Sequence, residues 1–176
     1  MLQHLVNFIT PPIAKNAVNT LYHAIVAQAR QPAFYQTHAV PDTVDGRFDL
    51  LLLHLILVLH RLKDQPTTRQ ELFDLMFADM DRNLREMGVG DMSVGKRMKP
   101  MIAAFYGRIV TYEAALSAGD TALSEALKRN LYRGAPLKAD APEMMANYVR
   151  RSLATLEQLS PESIVSGQIE FAAPII

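Results

Sequence analysis

The chain has 176 residues, 49% apolar and 20% charged, which suits one domain with a sizeable core. Lys plus Arg and Asp plus Glu stand at 18 each, so the formal net charge is zero and the basic excess of a nucleic-acid binder is missing. The lack of Cys excludes a disulfide framework and thiolate chemistry. A mean hydropathy of +0.04 and nine Met add a slightly apolar character. Met suits both cores and adaptable binding surfaces, and most of these Met fall at core spacing.

In chain order, Leu2, Leu5, Val6 and Ile9 recur at helical spacing up to Pro11-Pro12. This start lacks the basic segment of a secretory signal, and no Arg precedes Arg30, against a mitochondrial presequence. A second helix follows, with Asn16 as its expected cap. Val18, Leu21, Tyr22, Ile25, Val26 and Ala29 share one face, and the helix stops before Gln31-Pro32. Phe34 to Gly46 reads as loop. Arg47 to Leu62 (RFDLLLLHLILVLHRL) is apolar in nearly every direction. It falls short of the roughly 20 apolar residues a bilayer span needs, so it reads as a central core helix.

After Gln65-Pro66, Thr68 with Glu71 fits a capping box for a helix ending at Met87. Its apolar arc is Leu72, Phe73, Met76, Phe77, Met80, Leu84 and Met87. Gly88 stands where a left-handed C-cap glycine belongs, and Asp91 or Ser93 caps the next helix. That helix has Val94, Met98, Met101, Ile102, Phe105 and Ile109 on one side, and small residues Pro100, Ala103, Ala104, Gly107 and Thr111 on another. Apolar and small sides together place 94–116 near the middle of the fold, with Pro100 as a kink or changed start. Asp120 caps a shorter helix to Arg133, ended by Gly134 and Pro136. Asp140 with Pro142 starts a last helix, which buries Met145, Tyr148, Val149, Ser152, Leu153 and Leu156 and closes at Pro161. The tail from Ile164 is expected to pack as extended chain. The sum is an all-α, compact single-domain bundle of six or seven helices.

Catalytic constellations are wanting. Gly90 to Arg97 nearly spells a P-loop, but Arg97 replaces the Mg²⁺-ligating hydroxyl and no strand precedes it. The five His (His4, His23, His38, His54, His60) form no i,i+4 pair, and His54 reads as a hydrogen-bonded core histidine. Asp79, Arg82 and Glu86 share one side of their helix with Leu75. They read as a solvated ladder or as the polar rim of a groove. No cofactor and no metal site follow, and a binding protein is favoured over an enzyme.

Several stretches together resemble one family. They are Gln31-Pro32-Ala33-Phe34-Tyr35, Val40-Pro41-Asp42-Thr43, Gly46-Arg47-Phe48-Asp49-Leu50, Leu72-Phe73-Asp74 and Phe77-Ala78-Asp79-Met80-Asp81-Arg82. To these add Leu84-Arg85-Glu86-Met87-Gly88-Val89-Gly90-Asp91, Val94-Gly95-Lys96 and Phe105-Tyr106-Gly107-Arg108. Over about residues 16–170 the chain is similar to the ubiquinol–cytochrome c chaperones. The resemblance implies an assembly factor that holds newly made cytochrome b before it enters ubiquinol–cytochrome c reductase. Mitochondrial relatives work with a small partner protein at the ribosome exit. This sequence shows no long N-terminal extension, so it looks like a bacterial form, in the cytoplasm and peripheral to the inner membrane, with no specific DNA binding.

The densest family run falls at the corner after Met87. A client groove is expected there, drawing on Leu75, Met92 and Met101. Asp79, Arg82, Glu86, Asp91 and Lys96 would form its rim, and Gly88 and Gly90 would let another backbone approach. A second class stays open at this stage. It is a carrier of quinone or haem in a pocket beside the 47–62 helix, with His54 or His60 as ligand or hydrogen-bonding group.

Overall fold

The computed structural model describes residues 12–135 and 140–174, with side chains from 17 onward. Helix α1 spans Pro12–Ala29, α2 Pro32–Gln36, α3 Val44–Arg61 and α4 Pro66–Glu86. They are followed by α5 Asp91–Ala118, α6 Asp120–Asn130, α7 Ala141–Gln158 and α8 Pro161–Val165. No strand occurs among the described residues, so the all-α expectation holds. The expected helix before Pro11, the terminator Pro136 and the last two tail residues lie outside the described residues.

The centre of the fold is α3. Every residue from Asp49 to Leu59 is buried, because α1, α5 and α7 all pack on this helix. A helix that is apolar all round is stable only when enclosed in this way. Thr43 starts it by accepting a hydrogen bond from the Gly46 amide at 3.1 Å. The small-sided helix does not share that position. In α5, Pro100, Ala103 and Gly107 face solvent while Val94, Phe105, Tyr112 and Ala115 are buried. Small residues mark a close neighbour or nothing at all, and among the described residues Pro100, Ala103 and Gly107 are left uncovered while Ala104 and Thr111 are half-buried. Helix α5 also runs unbroken through Pro100. Both Pro100 and Lys96, whose carbonyl loses its helical partner, lie at the exposed surface where water serves instead.

Several helix ends differ from their sequence reading. α1 already runs from Pro12, so Asn16 lies within it and does not cap it. Part of the expected 34–46 loop is the short α2, with Pro32 in its first turn and Phe34 buried. α4 begins at Pro66, which leaves Thr68 buried inside the first turn. Gly90 stands at the N-cap of α5, and neither Asp91 nor Ser93 makes a capping bond. Asp120 is the first residue of α6, and its carboxylate receives Arg150 of α7 at 2.8 Å. α6 stops at Asn130, short of Arg133. Pro161 opens α8, which Ser160 caps through the Ser163 amide. From 168 to 174 the tail has no regular structure. It still docks: Gln28 donates to the Ala172 carbonyl at 3.2 Å and Arg151 to that of Ala173 at 3.1 Å.

The α4–α5 corner forms as its glycine implies. The Gly88 amide donates to Arg85 O at 2.9 Å and the Val89 amide to Leu84 O at 3.0 Å, a Schellman ending. Gly88 holds φ +83°. Val at this position forces a β-branched side chain into the left-handed region, and Gly88→Val is expected to destabilise by about 1 kcal/mol or more. An unchanged melting temperature would show that the turn relaxes without cost. Arg85 clamps the corner from outside, pairing with Asp81 at 2.7 Å and with Asp91.

Candidate functional site

At the corner, Met92 is 91% exposed and Met87 59% exposed. Met87 was expected on the inner face, but it is the C-cap of α4 and stands over the helix end. Glu86, Gly88, Gly90, Asp91 and Lys96 are all exposed around these two methionines. They form a local surface of apolar tips with charges of both signs. Gly90 has φ −62°, which any residue adopts, so a left-handed turn is required only at Gly88.

Three expected groove residues, Leu75, Asp79 and Met101, lie outside this surface. Leu75, Asp79, Arg82 and Glu86 follow one line of α4; at Asp79 that line meets α1, and Arg82 and Glu86 carry it, exposed, to the corner. The Tyr22 hydroxyl of α1 donates to Asp79 Oδ2 at 2.9 Å, and Arg82 meets Asp79 Oδ1 at 3.3 Å. Burial, then the Asp79 bond, pushes the Tyr22 hydroxyl well above the ordinary phenol range, which keeps it a donor. Asp79 therefore ties two helices together as well as meeting solvent. Leu75 and Met101 are half-buried against the core. The structure thus gathers the corner residues and leaves Leu75, Asp79 and Met101 outside that cluster.

A second concavity lies at the other end of the α4–α5 pair. It is a cleft of about 240 Å³ lined by residues that include Pro66, Arg69, Phe73, Phe105 and Tyr106. Its floor is aromatic, with ring centroids 5.2 Å apart for Phe73–Phe105 and 5.7 Å for Phe73–Tyr106. The expectation of a pocket beside the 47–62 helix meets this cleft only at Leu59, and neither His54 nor His60 lines it. A half-exposed tyrosine directly after a core phenylalanine was the available sequence signal for this surface.

His54 is closed to ligation. Its Nδ1 lies 2.8 Å from the Leu50 carbonyl, which fixes the proton there. Nε2 then accepts from the Tyr148 hydroxyl at 2.7 Å, and that hydroxyl accepts from Gln28 Nε2 at 2.9 Å. The rings of Phe34 and Phe171 stand edge-on to the imidazole, each with centroids 5.2 Å away. Burial pushes the imidazole down to about 4, against the pull of the Leu50 bond, and lifts the Tyr148 hydroxyl to about 12. A histidine held neutral in this way stabilises the fold fully above its unfolded pKa of 6.5, and that share is lost as pH falls toward 4. It amounts to on the order of 3 kcal/mol. Asp49, pushed up to about 6 by burial, runs with the opposite sign over the same range. The comparison must therefore be made against a variant. The stability gap between wild type and His54→Gln is expected to narrow between pH 6.5 and 4 in urea titrations. A gap independent of pH would show that water reaches the ring.

The polar centre that sequence reasoning missed is Asp49. This fully buried carboxylate meets Arg108 of α5 at 2.6 Å and Arg133, beyond α6, at 2.5 Å. Arg133 also reaches Asp45 at 3.5 Å. The stretches Gly46–Leu50 and Phe105–Arg108 are distant in sequence and join here. An aspartate inside an otherwise apolar helix was the one available signal. Among the described residues no three potential metal ligands cluster, and no helix is long and apolar enough to cross a membrane.

Comparison with known proteins gives these surfaces a family. The chain is 26% identical over 165 residues to ubiquinol-cytochrome c reductase complex assembly factor 1 of Mus musculus, covering 89% of this chain and 55% of the relative. With the corresponding factor of Xenopus laevis the identity is 25% over 163 residues, covering 88% and 80%. The Homo sapiens factor matches at 26% over 165 residues, covering 89% and 54%. The chain therefore spans about half the length of its mouse and human relatives. Among solved structures, the Cbp3 homolog from Brucella abortus superposes with a TM-score of 0.82 at 38% identity, over 92% of both chains. Residues 36–171 match the family described as ubiquinol-cytochrome C chaperone, and the chain belongs to that family.

Proposed function

We propose that this protein holds newly made cytochrome b, peripherally at the inner membrane, until that subunit enters ubiquinol–cytochrome c reductase. Family membership over residues 36–171 is the observation that carries the reading. The curated relatives bear the name of assembly factors for this same reductase. The protein acts by binding rather than by catalysis. Its contact surface is the corner, where the exposed Met87 and Met92 stand among Arg82, Glu86, Asp91 and Lys96. Apolar tips within a charged rim suit an unassembled membrane subunit, whose apolar helices lack their partners. A small assembly partner and the ribosome exit belong to the same proposal.

The test is the double change Glu86→Lys, Met92→Glu. Asp79 and Arg82 are avoided because Asp79 bonds both Tyr22 and Arg82. Surface substitutions of this kind seldom move stability by more than about 0.5 kcal/mol, so the melting temperature is expected to hold. Co-purification of cytochrome b should be lost, and the reductase content of membranes should fall. Normal reductase at wild-type abundance of the variant would remove the corner as the contact. A photo-crosslinker at Met92 that captures a different reductase subunit would overturn cytochrome b as the client.

A further inference from the structure

Five large apolar side chains are exposed among the described residues: Val44, Met87, Met92, Tyr106 and Val110. Four of these lie at the corner or along α5. Met92, Lys96, Lys99, Ala103, Tyr106 and Val110 recur at spacings of four and three, so they form one ridge of the helix. All six are exposed. The ridge is about 27 Å long at helical rise, and at its far half Tyr106 borders the cleft against Phe73 of α4.

The charge on this ridge has no ion-pair partner among the described residues. Lys96, Arg97 and Lys99 make no ion pair among the described residues. Two nearby acids, Asp81 and Asp91, are held by Arg85. Glu86 is exposed at the corner, and Glu113 marks the far end of α5. The corner half of the ridge is thus basic and the far half is apolar. Lysine stems lie along apolar matter while their heads seek anions, and tyrosine suits the headgroup level of a bilayer.

We infer that α5 rests on an anionic lipid surface through this ridge, with Tyr106 and Val110 entering the headgroup layer and Lys96 and Lys99 facing lipid phosphates. The inference rests on the proposed place of the protein beside the membrane, and it names the face that meets the membrane. Binding of this kind adds apolar burial to attraction by anionic lipid and weakens with salt.

The purified full chain is mixed with phosphatidylcholine vesicles, with or without phosphatidylglycerol, and floated on a density gradient. Binding is expected to the anionic vesicles at least about tenfold above the neutral ones, falling at high salt. Lys96→Glu with Lys99→Glu, and separately Tyr106→Ser with Val110→Ser, should each lower it about tenfold. Lys128→Glu with Arg129→Glu on α6 should leave it unchanged. Circular dichroism melts establish that each variant is folded. Equal binding to both vesicle types, no binding, or wild-type binding by both ridge variants overturns the proposal. The assay contains no client, so its failure leaves the cytochrome b reading standing. Loss of client capture in detergent by the Tyr106→Ser, Val110→Ser variant, without vesicle binding by the wild type, would make the ridge a protein contact and sink the lipid assignment.

Discussion

Replacing Asp49 by alanine is expected to destabilise the fold by about 3–5 kcal/mol, because it strands Arg108 as a buried charge without its counterion. Arg133 is 42% exposed and can turn to water, but Arg108 has no such route at 8%. The double variant Asp49→Leu, Arg108→Leu removes both buried charges and leaves apolar volume behind. It should therefore be more stable than Asp49→Leu alone. Urea titrations of the two single variants and the double close the cycle. A loss below about 1 kcal/mol for Asp49→Ala would mean that water already screens the pair, contrary to the burial described above.

Gly46→Ala should be the second large effect, at least about 2–3 kcal/mol. A Cβ at this position would sit 2.0 Å from the Pro41 carbonyl oxygen and 3.0 Å from its carbon. Both are backbone atoms and cannot rotate aside, so either the 37–43 connection or the start of α3 must move. Gly95 supplies the contrast. It lies inside α5, and an added Cβ there meets nothing within 4 Å. Gly95→Ala is therefore expected to stabilise, by up to about 1 kcal/mol, through helix propensity. Melting temperatures that shift in opposite directions verify the pair. Shifts of the same sign would show that the close approach at Pro41 is not maintained in solution.

Physical reasons separate what was legible in the sequence from what was not. The central place of α3 could be read because an uninterrupted apolar run leaves a helix no solvent side. The corner could be read because Gly88 answers a local geometric demand. The placement of α5 was misjudged, since a stripe of Ala and Gly looks the same whether a neighbour touches it or not. The candidate groove was assembled from two helices whose relative rotation no local pattern encodes. Phe73, Phe77 and Phe105 form the α4–α5 contact, and this turns the Leu75–Asp79 line toward α1. The Asp49–Arg108–Arg133 centre stayed hidden for the same reason. Its three members lie on separate elements, and only tertiary packing sets their distances. The short α2 escaped notice because five residues carry too little periodicity to register.

The enclosure of α3 has a consequence for the order in which the protein is made. The Tyr148 hydroxyl that reaches His54 is encoded 94 residues later, and the tail bond to Gln28 closes a separation of 144. At translation rates of about 5–20 residues per second, roughly 5–20 s pass between the synthesis of α3 and that of the helix which seals it. During that interval the least polar segment of the chain lacks one of the three helices that enclose it, since α1 precedes it and α5 follows but α7 comes last. If the proposed role holds, a shield for apolar segments of another polypeptide thus passes through a comparable state of exposure during its own birth. Its yield in cells should depend on how quickly α7 follows α3 out of the ribosome.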